Sequence, residues 1–148
     1  VYINGQLMNE GTINSAYAGI VHKVPVGLII GDSGLERQMK GEGMMPWPEF
    51  VCTKQSLSRF SAVYKPKKLL KEETIAAVKK ALDDRPQLYT LQAPYHCRMD
   101  LTNAAKCDQV QQMPGIHRTA GRTVEFESTS FTEIYDAIHG IATMSRLG

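Results

Sequence analysis

The sequence predicts an α/β layered domain with a parallel or mixed sheet and flanking helices, on three observations. Strand-like apolar runs alternate with segments of helical periodicity. One run, Pro25-Val26-Gly27-Leu28-Ile29-Ile30, is continuously apolar, as a strand buried on both faces of a parallel sheet would be. No internal repeat or low-complexity segment breaks the alternation.

Val1 to Ile3 reads as a strand reversed at Asn4-Gly5, a dipeptide suited to a tight hairpin. From Glu10 to Lys23, Ile13, Tyr17, Ile20, Val21 and Val24 fall at helical spacing, with Asn9 as the N-cap. The apolar run 25–30 closes at Gly31-Asp32. A short helix over Leu35 to Lys40 follows, then a loop around Trp47 forced by Gly41, Gly43, Pro46 and Pro48. Phe50 to Thr53 is a second buried strand.

Between Lys71 and Leu82, the spacing of Ile75, Val78 and Leu82 marks an amphipathic helix, its acidic start and basic end complementing the macrodipole. Strands follow at Tyr95 to Leu101 and Thr123 to Glu127, with a helix over Asn103 to Met113 between them. Ser130-Phe131-Thr132-Glu133 has the form of a capping box. The last helix therefore starts there, with Phe131, Ile134, Ile138, Ile141 and Ala142 as its apolar stripe.

The 148 residues are about one domain's worth, with 43% hydrophobic and 22% charged side chains, as in an ordinary globular chain. A net charge of +2 from 17 basic and 15 acidic residues gives no reason to expect nucleic acid or an anionic membrane as partner. No apolar run reaches the ~20 residues of a membrane span, and no signal-peptide pattern opens the chain. Cys52, Cys97 and Cys107 match no zinc-ribbon or redox spacing, which suits the reducing cytoplasm. The opening Val1-Tyr2-Ile3, already strand-like and without an initiating Met, reads as a fragment.

Two serine-hydrolase patterns are present in part. Gly31-Asp32-Ser33-Gly34 has the Gly-Asp-Ser-Gly of chymotrypsin-like proteases, but the helical segments contradict that all-β fold, and the only aspartate before Ser33 is its neighbour Asp32. The same serine, with Asp136-Ala137-Ile138-His139, has the spacing of a GDSL-type esterase. Against it, Asp136 and His139 lie roughly 160° and 100° from the centre of the terminal helix's apolar stripe. Dinucleotide and P-loop motifs are absent, and His22, His96, His117 and His139 show no H-E-x-x-H spacing. Each histidine reads as a surface or locally satisfied side chain.

Glu10 sits in a helix's first turn, directly after a hairpin, with Asn14 one turn on along the same face. From position alone it complements the helix dipole, worth about 0.3–1 kcal/mol.

The segment Asn4-Gly5-Gln6-Leu7-Met8-Asn9-Glu10-Gly11-Thr12-Ile13-Asn14, then Ala18-Gly19, Val24-Pro25-Val26 and Gly31-Asp32, resembles the central motif of the DppA-type, zinc-dependent D-aminopeptidases. The resemblance continues through Lys54-Gln55-Ser56-Leu57-Ser58-Arg59, Ser61-Ala62 and Met113-Pro114-Gly115. It ends at Gly121 to Phe126 and Glu133-Ile134-Tyr135. Asn9 and Thr12 stand where the family carries glycine, and the usual Gly-Asp-Asp reads Gly31-Asp32-Ser33.

The resemblance implies that the chain is the carboxy-terminal portion of a larger two-lobed α/β protein. Residues 1–90 would form a first α/β part opening with the hairpin and metal-ligand helix, and residues 91–148 a second β-α-β-β-α part. It implies a metallo-aminopeptidase acting on small D-amino-acid peptides with two zinc ions, in a ring-forming homo-oligomer. Glu10 is the one metal ligand carried over. The other ligands and the catalytic histidine belong to an amino-terminal half preceding Val1, so the chain alone is expected to be inactive. The alternatives are an esterase using Ser33, Asp136 and His139, and a non-catalytic assembly domain.

Overall fold

The structure, a computed structural model, describes residues 1–144 and forms two compact units. One comprises Val1–His22 with the chain from Thr90 onward; the other is Lys23–Tyr89. This differs from a division at residue 90, because the hairpin and first helix group with the carboxy-terminal segment. The physical reason is pairing: strand β1 (Tyr2–Ile3) hydrogen-bonds to β6 (Tyr95–Asp100), with Ile3 opposite Cys97.

The first unit has an antiparallel five-stranded sheet in the order β2-β1-β6-β8-β7, where β2 is Gln6–Leu7, β7 His117–Ala120 and β8 Thr123–Ser128. Asn4 and Gly5 both take positive φ in the two-residue turn joining β1 to β2, as that turn requires. Alternation along β6 turns Tyr95, Cys97 and Met99 inward and His96, Arg98 and Asp100 outward. Against the inward face packs α5 (Phe131–Met144), whose Phe131, Ile134, Ile138 and Ile141 are buried as the stripe predicts. Helices α1 (Glu10–Ile20) and α4 (Ala104–Val110) pack against α5, and the segment after Thr90 runs β6-α4-β7-β8-α5.

The capping box of α5 is relayed through a neighbour. Ser128 Oγ accepts the Ser130 N–H at 2.9 Å and pairs with the Glu133 carboxylate, so Glu133 reaches the cap through Ser128.

In Lys23–Tyr89 a mixed three-stranded sheet runs β3-β4-β5, with β3 (Leu28–Asp32) parallel to β4 (Glu49–Ser58) and β5 (Ser61–Tyr64) antiparallel to it. Two expectations are corrected here. Strand β3, with one neighbour among the described residues, is not covered on both faces: Ile30 is 50% exposed. On α3 (Lys67–Asp83) the buried residue is Ala77, whereas Ile75, Val78 and Leu82 are exposed. The helix approaches the sheet through small side chains; a Cβ added at Gly27 would meet the Ala81 Cβ at 3.2 Å. Lys80–Glu49 and Lys65–Glu73 ion pairs secure the same face.

The short helix after β3 is α2 (Ser33–Glu36), continued by a π-helical stretch over Arg37–Gly41. Among the described residues no helix is long and apolar enough to cross a membrane.

Candidate functional site

Glu10 is the first residue of α1 and its side chain is exposed. The cap of this helix is made without it. Asn9 Oδ1 accepts the Thr12 N–H at 2.9 Å, and Thr12 Oγ1 accepts the Asn9 N–H at 2.9 Å. This reciprocal cap is worth about 1 kcal/mol. The two residues that stand at the family's glycine positions are therefore partners in one device. They satisfy the helix start and leave the Glu10 carboxylate available for another role. One turn on, Asn14 accepts a hydrogen bond from the Tyr135 hydroxyl at 3.0 Å, tying α1 to α5 beside the 4.3 Å stack of Tyr17 on Tyr135.

A zinc centre needs three or four donors. Among the described residues no three His, Cys, Asp or Glu side chains are gathered to hold a metal ion. Glu10 alone does not fit a complete zinc site; on this chain it is at most one oxygen ligand.

The serine pattern is occupied by structure. Asp32 caps α2 by accepting the Leu35 N–H at 2.9 Å, and it accepts the Ser56 hydroxyl at 2.8 Å. Ser33 Oγ accepts the Ser56 N–H at 3.0 Å. The unit Lys23–Tyr89 contains no histidine, so no imidazole from within it can activate Ser33. Asp136 and His139 are both exposed on α5, and the His139 ring lies 4.5 Å from that of Tyr135. A Cβ added at Gly31 would fall 2.6 Å from Leu35 Cδ2, so the Leu35 side chain would have to turn away.

The Leu35 N–H, and then the Ser56 hydroxyl, hold the Asp32 carboxyl below its ordinary pKa. A depressed folded-state pKa contributes stability that is present above the unfolded value and lost as pH falls through the folded one. Asp32→Asn should therefore lower the melting temperature at pH 7, and the difference from the parent should narrow as pH drops below about 4. Circular-dichroism melts across that range check it; a pH-independent difference would contradict the assignment.

Cys107 is fully buried, and neither of the other two thiols is a nucleophile candidate. Burial pushes Cys97 up to about 12, and burial followed by the Glu36 carboxylate raises Cys52.

Strand β6 sets His96 opposite Glu127 of β8, and the imidazole reaches diagonally to a second glutamate, a contact that the scattered histidines do not reveal in sequence. His96 Nε2 lies 3.5 Å from Glu125 Oε2, and His117 on β7 stands opposite the same glutamate. Only the fold could show this, because the partners come from three strands.

Among solved structures the chain is similar to the Zn-dependent D-aminopeptidase DppA from Bacillus subtilis, described as a self-compartmentalizing protease. The match has a TM-score of 0.85 and 23% identity, and covers 98% of this chain and 53% of that one. The chain thus spans about half the length of that relative, and the likeness establishes the α/β fold. No curated protein sequence matches it. A family model described as D-aminopeptidase matches residues 1–140. The chain therefore belongs to the D-aminopeptidase family, peptidase family M55.

Proposed function

We propose that the complete protein is a zinc-dependent aminopeptidase removing the amino-terminal residue of small peptides containing D-amino acids. In this reading Glu10 is one oxygen ligand of a two-zinc centre, and this chain alone is inactive. The observation that carries it is Glu10 itself: an exposed carboxylate on a rigid first turn whose capping is already met by Asn9 and Thr12. When bound, zinc polarises a peptide carbonyl and lowers the pKa of a bound water. Family membership and the Zn-dependent relative support the choice of metal. The amino-terminal half that would supply the remaining ligands and the catalytic histidine belongs to this proposal.

A homo-oligomeric ring is the proposed assembly. The relative is described as self-compartmentalizing. Among the described residues, every exposed large apolar side chain except Leu7 lies in Lys23–Tyr89, including Leu57, Ile75, Val78 and Leu82. The cytoplasm is the proposed location, supported by three free cysteines.

Zinc removal tests the activity. Chelation of the complete protein should abolish hydrolysis of a D-amino-acid dipeptide, and added zinc should restore it. A phosphonate serine probe should leave activity unchanged. Activity that survives chelation and is lost on labelling of Ser33 would replace this reading with the esterase.

A further inference from the structure

The β4–β5 hairpin and Asp32 border an open groove of about 590 Å³ in the Lys23–Tyr89 unit. That is large enough for a small organic ligand, since such sites run about 300–1,000 Å³. We propose that this groove binds the terminal carboxylate of a short peptide through Lys54 and Arg59. The proposal rests on the peptidase reading only for the choice of a peptide as ligand.

Lys54 and Tyr64 face each other in register across the hairpin, with the ammonium 5.6 Å from the ring centroid. Arg59 lies at the turn, its guanidinium carbon 5.3 Å from the centroid of the Phe60 ring. Neither cation forms an ion pair among the described residues. Ser58 and Ser61 line the same groove, their hydroxyls linked at 2.8 Å, so one of the two keeps its hydrogen for a ligand; Ser56 also lines it, with its own hydrogen donated to Asp32.

One carboxylate, Asp32, also borders the cavity, but its oxygens already accept from the Leu35 N–H and the Ser56 hydroxyl. Two cations against one such carboxylate leave the groove net positive. Arginine offers a planar fork that takes both oxygens of a carboxylate, and the Lys54 ammonium adds a point charge. Phe60, 90% exposed, and Tyr64 supply apolar walls for the residue bearing that carboxylate.

Calorimetric titration of the metal-free complete protein decides the matter, using acetyl-D-alanyl-D-alanine and its carboxamide. The blocked amine prevents turnover, so the result is independent of zinc and of the peptidase reading. The free acid should bind, and the amide should bind at least ~10-fold more weakly, as loss of a charged hydrogen-bond partner implies. Arg59→Ala and Lys54→Met should each weaken the acid by about the same factor, whereas Lys54→Arg retains affinity. Circular dichroism checks the fold; if Lys54→Met unfolds, Arg59→Ala at the exposed turn decides. Equal binding of acid and amide, no binding of the acid, unchanged affinity in the variants, or equally tight binding of inorganic phosphate would overturn the assignment.

Discussion

Glu10→Gln in the complete protein should lower kcat/KM for a D-amino-acid dipeptide by at least about 100-fold. Outer-shell partners of metal ligands already cost about 10–100-fold when removed, and a ligand is closer to the chemistry. The substitution keeps the side chain's size and removes its charge. Asn9 and Thr12 still cap α1, so the helix start survives. The melting temperature of the metal-free variant should match that of the metal-free parent. A steady-state assay beside that melt separates loss of a ligand from loss of the fold; a parallel collapse of both would make Glu10 a structural residue.

Ile134→Ala should destabilise the chain by about 2–5 kcal/mol, the range for truncating a large buried aliphatic side chain. Ile134 is fully buried on the stripe that α5 lays against the sheet. On the neighbouring turn Phe131 meets Tyr95 edge-on at 5.1 Å, an aromatic contact that keeps the helix from sliding to fill the void. Ile75→Ala on α3 provides the contrast. That residue is 47% exposed and should lose far less. Chemical denaturation of both variants checks the pair, and equal losses would contradict the burial that separates them.

These two isoleucines also mark the boundary of what the sequence discloses. On α5, helical period, capping residues and burial agree, so the stripe read from sequence is the packed one. On α3 the same period points to Ile75, Val78 and Leu82, yet the sheet takes Ala77. Periodicity locates an apolar face without saying what lies against it. Strand β5 escaped sequence reading for a local reason: its turn, Arg59-Phe60, lacks the glycine or asparagine that signals a tight reversal. The β3 run reads as doubly buried because apolar composition does not say which faces of the sheet are covered; Ile30 is half exposed.

The candidate site divides in the same way. The Asn9 cap and the α1 start were legible from residue type and position. Position alone made Glu10 a dipole-complementing residue, and only its place in an ordered series of family motifs gave it a chemical role. The reciprocal Asn9–Thr12 bond then explains how α1 is capped without glycine at those two positions. The His96–Glu125 contact and the Lys54–Arg59 groove required the strand register, which no local pattern encodes.

Zinc content of the purified complete protein, measured before and after Glu10→Gln, tests the central claim most directly. If Glu10 is a ligand, the variant should hold less zinc per chain at equal folded concentration. Unchanged zinc in a folded variant would contradict the assignment of Glu10 to the metal centre.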